Sequence, residues 1–180
     1  MYSLSLTKCV MVASVTVSIH VNAQVSGTSD RFGDAMQFIL PAAAIGLTLH
    51  ENDTSGLKQF AYSAALSQGT TEILKYSINS TRPDGSSKGF PSGHTSIAFV
   101  SAGFVHQRYG IASALPFYGL AALTGYSRIR THHHFTKDVI GGAIVGTGSA
   151  FLLTSPIGSQ SASIISYDGE RIALSYFHSW

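Results

Sequence analysis

Five long stretches rich in apolar residues, separated by short polar or turn-forming segments, predict five helices along this chain. The stretches are 35–50, 57–78, 92–108, 111–124 and 137–154, and the polar residues 30–34 lead into the first. Apolar positions in the second stretch recur three and four residues apart, as along one face of a helix. Gly110 and Pro156 follow helical stretches, and both residue types commonly terminate helices. The pattern predicts an all-α helical bundle of about five helices.

Two connecting segments, 79–91 and 125–135, are predicted to be irregular. The first contains Ser, Asn, Asp, Gly and two prolines, a composition typical of loops. The second follows the fourth apolar stretch, and Thr136 is the expected N-cap of the fifth helix. Both segments carry charged residues, and the second also contains three histidines, so they are the first places to look for chemistry.

The last twenty residues have a different pattern. Two β-prone runs, 162–167 and 171–176, flank Asp168-Gly169-Glu170, and Asp-Gly between such runs is a hairpin signal. We expect a short C-terminal β-hairpin without a catalytic role. The chain then divides into a helical domain over 24–160 and a tail over 161–180.

The first 23 residues have the pattern of a secretory signal peptide. Lys8 precedes the apolar run 9–21, and Val21-Asn22-Ala23 offers small or tolerated residues for cleavage before Gln24. An uncleaved membrane anchor is the alternative, although a bilayer span needs about 20 apolar residues. The single cysteine, Cys9, lies inside this segment, so the mature protein would contain no disulfide.

Composition narrows the partners and the location. The formal net charge is +2 at pH 7, and no basic patch indicates nucleic-acid binding. Mean hydropathy is a moderate +0.20. At most three segments, 35–50, 111–126 and 138–154, approach a membrane span, and each is shorter than about 20 residues. We expect an exported, largely soluble bundle, periplasmic or at the outer face of the inner membrane, that contacts the membrane surface; an integral membrane protein is the alternative.

Three short segments carry the candidate chemistry. They are Lys75-x6-Arg82-Pro83, Pro91-Ser92-Gly93-His94 and Ser127-Arg128-x5-His134-x3-Asp138. Lysine and arginine bind phosphate oxygens, and arginine does so with two parallel hydrogen bonds. One histidine can attack phosphorus, a second can move protons, and a carboxylate can orient the first. The segments predict phosphoryl transfer that needs no metal ion.

These segments resemble the three signature motifs of the type 2 phosphatidic acid phosphatase family, which shares its site with bacterial class A acid phosphatases and vanadium haloperoxidases. The match runs from Lys75 to Asp138, and every signature position is filled. The resemblance implies an all-α fold. It also implies hydrolysis of phosphate mono- or pyrophosphate esters, with phosphatidic acid, undecaprenyl pyrophosphate or a lipid A phosphate as substrate.

The resemblance implies a role for each histidine and for the acid. His134 would attack phosphorus and form a phosphohistidine, because in the run 132–134 only His134 has both the x5 spacing from Arg128 and the x3 spacing to Asp138. Asp138 would orient its imidazole. His94 would protonate the leaving oxygen and then activate water. A metal site on the triple-histidine run is the alternative, but adjacent loop residues rarely converge on one ion. We expect no metal and no cofactor.

Five further residues are expected to bind phosphate: Lys75, Arg82, Ser92, Gly93 and Arg128. The three cations would neutralise the phosphoryl oxygens and stabilise the transition state. Gly93 would let the backbone approach the anion, and the start of a helix there would favour negative charge.

Three other functions stay open at this stage. A broad-specificity soluble acid phosphatase would use the same residues on a small phosphate ester, since the motifs contact the phosphate rather than its carrier. A vanadium haloperoxidase would hold vanadate at the same place, although those enzymes are generally much longer. A non-catalytic protein that binds phosphate or lipid phosphate would need the cations but neither His134 nor Asp138. The sequence leaves the oligomeric state open.

Overall fold

A five-helix bundle forms most of the protein in the computed structural model, which describes residues 25–158, 162–167 and 172–177. Within these ranges the helices are α1 (Val25–His50), α2 (Thr54–Ile78), α3 (Gly93–Tyr109), α4 (Ile111–Arg130) and α5 (Thr136–Leu153). The strands β1 (Ala162–Tyr167) and β2 (Ile172–Phe177) pair antiparallel, with β2 one residue later in the chain than the second β-prone run of the expected hairpin. The predicted all-α bundle is confirmed. The predicted signal peptide, residues 1–23, and the hairpin turn, 168–170, lie outside the described residues.

Two helices are longer than the sequence pattern predicts. The polar residues 30–34, expected as a lead-in, belong to α1. Helix α4 passes through Gly125, where the irregular segment was expected to begin, and ends at Arg130. A side chain at Gly125 would collide with Val139 of α5, so this glycine serves close helix packing rather than a turn. Helix α4 thereby carries Arg128 into its last turn.

The start of α5 also differs by one residue from the prediction. Phe135, not Thr136, is the N-cap. The reason is the acid in the first turn, because Asp138 Oδ2 accepts a hydrogen bond of 2.9 Å from the Phe135 backbone N–H. A carboxylate in this position satisfies a backbone donor and interacts favourably with the helix dipole.

Helix α3 is the centre of the bundle and packs against each of the other four helices. Its most extensive contact is with α5, where glycines allow the two backbones to approach. A side chain at Gly142 would overlap the Ser92 carbonyl, and one at Gly146 would overlap the Ser96 carbonyl. This packing places the starts of α3 and α5 side by side, which brings Ser92 N–H within 2.9 Å of the Asp138 carbonyl.

Hydroxyl groups are buried between the helices of this bundle, and large apolar side chains are exposed on its outside. Buried hydroxyls bond to one another between helices: Ser67 Oγ lies 2.6 Å from Ser96 Oγ, and Thr71 Oγ1 donates to Ser96 Oγ at 3.0 Å. Large apolar side chains stand on the outside, including Phe38 at 71% and Ile144 at 67% exposure. Among the described helices, α1 over Gly27–His50 is long and apolar enough to cross a membrane, by length and composition.

Candidate active site

A cavity of about 570 Å³ opens at the end of the bundle where α1, α3 and α5 begin and α2 and α4 end. Six of the predicted site residues line it: Lys75, Arg82, Gly93, His94, Arg128 and His134. They come from α2, the connection between α2 and α3, the start of α3, the end of α4 and the connection between α4 and α5. The structure therefore brings the three sequence segments together around one space.

His134 lies in the connection between α4 and α5 and is 3% exposed. Its Nδ1 atom is 3.6 Å from Asp138 Oδ2, and the Asp138 side chain is fully buried. At this distance the two groups are neighbours without a hydrogen bond. The Asp138 carboxylate therefore lies on the Nδ1 side of the His134 ring.

The backbone fixes the spacing between Arg128 and His134. The Arg128 carbonyl accepts hydrogen bonds from the N–H groups of both His133 (3.0 Å) and His134 (3.1 Å). His132 has φ of 59°, a left-handed conformation that lets the chain reverse after α4. His132 is exposed and is not part of the cavity wall. Among the three consecutive histidines, the fold thus buries the one that the spacing selected.

Burial lowers the pKa of His134 to about 3, and the nearby Arg82 guanidinium adds to this effect. Hydrogen bonding to the Gly89 backbone acts in the opposite direction but is the weaker influence. Because its folded-state pKa is far below neutral, the His134 imidazole is uncharged at physiological pH. An uncharged ring has the free lone pair that a nucleophile needs.

His94 occupies the second position of α3, and its side chain faces the cavity. Its Nε2 atom lies 3.2 Å from Asp34 Oδ1 of α1. The adjacent Gly93 accommodates Lys75, since a Cβ atom at residue 93 would lie only 3.3 Å from Lys75 Nζ. Lys75 Nζ also donates to Glu72 Oε1 at 2.9 Å. The general acid/base candidate is therefore held between a carboxylate on one helix and an ammonium group on another.

Arg128 is 2% exposed and is held by α1. Its Nη1 atom donates to Asp34 Oδ1 at 3.0 Å, and its Nη2 atom donates to the Asp30 carbonyl at 2.8 Å. Gly33 makes this contact possible, because a side chain there would occupy the position of the guanidinium and of Ser127 Oγ. The glycine thus lets a buried arginine lie against the backbone of α1.

The sequence analysis missed the acidic residues of α1. Asp34 lines the cavity, and Asp30 Oδ1 lies 2.8 Å from Nε2 of His133, which also lines the cavity. No role was predicted for His133 from the sequence. The available signal was the spacing of Asp30 and Asp34, four residues apart and therefore on one face of a helix. Gln37, Gln68 and Glu72 complete the wall and were not predicted either.

Ser92 is placed differently from the other predicted phosphate ligands. It is fully buried, its Oγ atom accepts a hydrogen bond of 3.0 Å from Thr95 Oγ1, and it does not line the cavity. Its predicted contact with phosphate stays a prediction. Its observed role is at the start of α3, where the Ser92 carbonyl accepts the Ser96 N–H at 2.9 Å.

Buried polar atoms without a hydrogen-bond partner are concentrated in this site. Across the described side chains six such atoms occur, and all but Ser80 Oγ belong to predicted site residues: Arg82 Nε, His94 Nε2, Arg128 Nε, His134 Nδ1 and Asp138 Oδ1. Native proteins pair nearly all buried polar groups, so a cluster of exceptions indicates a missing ligand. Most of these atoms are nitrogens, and the ligand that suits them carries negative charge and several acceptor oxygens.

Comparison with known proteins identifies the family. The family model described as the PAP2 superfamily matches residues 84–158. The chain is 35% identical over 138 residues to the lipid A 4'-phosphatase of Helicobacter pylori (strain J99), which covers 70% of this chain and 69% of that protein. It is 41% identical over 90 residues to the lipid A 1-phosphatase of Porphyromonas gingivalis, covering 48% of this chain and 20% of that protein.

A solved structure supports the same fold. The crystal structure of Aquifex aeolicus LpxE matches with a TM-score of 0.64 at 22% identity, over 73% of this chain and 86% of that chain. The matching relatives are named phosphatases, and the family expected from the three sequence motifs is confirmed. This chain belongs to the PAP2 superfamily and is a hydrolase of the PAP2 type.

Proposed function

We propose that the protein is a lipid phosphate phosphatase that hydrolyses phosphate mono- or pyrophosphate esters through a phosphohistidine, without a metal ion. The observation that carries the proposal is the cluster of buried, unpartnered nitrogen atoms on Arg82, Arg128 and His94 around one cavity, which His134 also lines. A phosphoryl group offers the negative charge and the acceptor oxygens that these atoms lack.

In the first step the substrate phosphoryl group lies among Lys75, Arg82 and Arg128, with the Gly93 backbone beside it. His134 Nε2 forms a bond to phosphorus while the bond from phosphorus to the leaving oxygen breaks. His94 transfers a proton to that oxygen, so the alcohol or the shortened phosphate leaves in neutralised form. The buried Asp138 carboxylate stabilises the positive charge that His134 acquires.

In the second step water replaces the alcohol. His94, now neutral, accepts a proton from the water as its oxygen attacks phosphorus. The bond from phosphorus to His134 breaks, which returns His134 to its uncharged form and releases inorganic phosphate. The three cations stabilise the charge on the equatorial oxygens in both transition states. Each residue that the cycle needs lines the cavity or, for Asp138, supports a residue that does.

Two observations favour a lipid as the phosphate carrier. The matching relatives from H. pylori and P. gingivalis are named as lipid A phosphatases. The helices also expose large apolar side chains over their outer faces, among them Phe38, Ile73, Leu115 and Ile144. Exposed apolar surface of this extent marks a membrane or protein contact. A phosphorylated lipid presented at a membrane would meet both features.

The same surface bears on location. We place the bundle in a membrane with its cavity end at the aqueous boundary, on the exported side of the cell. The largely soluble bundle expected from hydropathy would leave these exposed apolar side chains in water, whereas the integral-membrane alternative would cover them with lipid. Apolar residues distributed around helices of 17 to 26 residues do not form one continuous apolar run, so segment length alone does not decide between the two.

Phosphate release from phosphatidic acid in mixed micelles, in excess EDTA, tests the function. The wild type should release phosphate, and His134→Ala should lose activity by on the order of 10³-fold or more. His132→Ala is the matched control, because it lies in the same histidine run but outside the cavity, and it should retain activity. An active His134→Ala enzyme, or activity abolished by EDTA, would contradict the proposal.

A further inference from the structure

We propose that Asp34 is a positioning residue for the general acid: its carboxylate favours the charged form of the His94 imidazole and the orientation that presents a proton to the leaving oxygen. The inference rests on the proposed phosphatase function and adds to it a residue that lies outside the segment 84–158 matched by the family model. It assigns a chemical purpose to the first helix, which also packs against α2, α3 and α4.

The geometry starts with one carboxylate oxygen that serves two partners. Asp34 Oδ1 lies 3.2 Å from His94 Nε2 and 3.0 Å from Arg128 Nη1. His94 Nε2 is buried, yet it makes no well-aligned hydrogen bond to this oxygen. The carboxylate contacts this nitrogen without a well-aligned hydrogen bond, so a further acceptor can compete for the N–H. In the cavity that further acceptor is the substrate oxygen.

Burial is the largest influence on His94 and lowers its pKa, and two neighbouring cations lower it further. These cations are Arg128 from α4 and Lys75 from α2, whereas His134 from the connection between α4 and α5 is neutral. Glu72 from α2 is paired with Lys75 at 2.9 Å, and His133 is paired with Asp30 at 2.8 Å. Among the described ion pairs, Asp34 is the sole carboxylate within contact distance of His94. A neighbouring negative charge favours the imidazolium form.

The negative charge of Asp34 matters because His94 gives up a proton in the first step and regains one in the second. When the bond from phosphorus to the leaving oxygen breaks, that oxygen takes the proton from His94 Nε2 and the imidazole becomes neutral. The attacking water then returns a proton to the same nitrogen in the second step. Asp34 neither donates nor accepts a proton in either step. Its carboxylate increases the fraction of charged His94 before the first step and favours its charging in the second.

A role in substrate binding would have the opposite signature. The Asp34 carboxylate is negative and sits beside the arginine that is expected to bind phosphate, so it repels the substrate. Removing its charge should therefore not raise KM. It should lower kcat, because a smaller fraction of His94 carries the proton that the first step requires. A residue that merely supported Arg128 would raise KM when removed.

The experiment compares Asp34→Asn with Asp30→Asn on phosphatidic acid across pH. Both residues are on α1 and both contact Arg128, but Asp34 alone contacts His94. Asp34→Asn should lower kcat by on the order of tenfold and move the alkaline limb of kcat/KM by about one pH unit to lower pH. Asp30→Asn should leave that limb in place, and Asp34→Glu should restore it. Equal shifts in both asparagine variants would overturn the proposal.

A second readout does not depend on turnover. Titration of the His94 ring by NMR, in protein labelled with ¹³C-histidine, should show a lower pKa in Asp34→Asn than in the wild type and no change in Asp30→Asn. An unchanged His94 titration in Asp34→Asn would overturn the proposal even if that variant lost activity through misfolding. If the wild type released no phosphate, the proposed function would fail, while the titration would still decide whether Asp34 controls His94.

Discussion

The two ends of the bundle each contain a buried arginine beside an aspartate, yet the two pairs are built differently. Away from the cavity, Arg108 Nε and Nη2 each lie 2.6 Å from an oxygen of Asp53. Arg108 Nη1 donates to the Ser155 carbonyl at 2.8 Å, and Tyr109 Oη donates to Asp53 at 2.9 Å. At the cavity end, Arg128 Nε has no partner, and Asp34 divides one oxygen between Arg128 and His94.

This difference separates a stabilising ion pair from a reactive one. The bidentate contact with Arg108 is the main reason that the pKa of Asp53 falls to about 2. The carboxylate therefore stays charged, and its oxygens already accept hydrogen bonds from protein donors. At the cavity end, Arg128 Nε is a buried donor without a hydrogen-bond partner. Unpaired buried donors cost stability, and that cost is recovered when a ligand supplies acceptors. The same residue types thus serve folding at one end and binding at the other.

The strongest test of the comparison is Arg108→Met. Removing one partner of a buried ion pair leaves an uncompensated charge, so we expect a loss of about 3–5 kcal/mol in the free energy of unfolding. Thermal unfolding followed by circular dichroism in detergent measures it. The rate per folded molecule should be unchanged, because the pair lies at the far end from the cavity. Adding Asp53→Asn to Arg108→Met should recover part of the lost free energy of unfolding. A loss of kcat without a loss of stability would contradict the assignment of this pair to folding.

At the cavity end the matching change is Arg128→Lys. Lysine keeps the charge but cannot contact phosphate, Asp34 and Asp30 with a planar fork, so kcat/KM should fall by about 10²-fold. Steady-state kinetics measure this effect, and the unfolding temperature should change less than in Arg108→Met. Arg130→Lys is the control, since Arg130 is exposed two residues further on. A large loss of stability without a loss of kcat/KM would show that Arg128 is structural.

Between the two ends lies the α3–α5 contact, which Gly146→Ala tests. The added methyl group would meet the backbone of Ser96 and Val100, and overpacking of this kind costs about 2–3 kcal/mol. Gly148→Ala is the control on the same helix, because nothing lies within 4 Å of a Cβ atom there. Thermal unfolding of the two variants should differ in this direction. Equal unfolding temperatures would show that the close approach is not needed.

The smallest expected effect is the pH dependence of stability. Folded His134 has a pKa near 3, whereas the unfolded residue titrates near 6.5, so the unfolded chain binds the extra proton as pH falls. This contribution to stability is complete above about pH 6.5 and declines toward pH 3. Denaturation at pH 7.5 and pH 5 should differ by about 2 kcal/mol from this residue. Asp53, with a pKa of about 2, acts only below its unfolded value of 3.8.

The control for the pH effect is His134→Ala. It should lose about 2 kcal/mol of the stability difference between pH 7.5 and pH 5. It should keep the part that comes from His94, whose pKa burial also lowers, and the decline below pH 4 that Asp53 causes. The two ends of the bundle can therefore be separated by pH alone. A wild-type protein equally stable at pH 7.5 and pH 5 would contradict the burial of an uncharged His134.

Sequence reasoning succeeded where a fixed spacing encodes the geometry. Arg128, His134 and Asp138 are held by a helix end, a single loop and a helix start, so their separation along the chain determines their contact. The helix elements were also predictable, because apolar stretches and glycine or proline terminators act locally. The convergence of Lys75 and Arg82 with these residues followed from the motif resemblance, and the cavity contains all of them except the buried Asp138.

The failures concern contacts between distant segments. Asp34 meets Arg128 across 94 positions, and nothing near Asp34 in the sequence indicates that partner. Two acids before an apolar run look the same whether they form a solvated lead-in or the wall of a site. The Ser92 hydroxyl bonds to Thr95, and its predicted contact with phosphate stays a prediction, because the local sequence permits both. Gly125 resembled a turn residue because close packing leaves no local mark.

The cavity is assembled from two parts of the chain that meet only in the folded bundle. The first two helices supply Asp34 and Lys75. The part of the chain from α3 to the start of α5 supplies His94, Arg128 and His134. A chain severed after Ile78 would give two fragments. The α1–α2 fragment would lack the nucleophile His134, and the α3–α5 fragment would lack Asp34, the carboxylate beside the general acid His94. Complementation between such fragments would regenerate turnover in proportion to their association. The turnover rate would then measure the fraction of fragments that have assembled into the bundle.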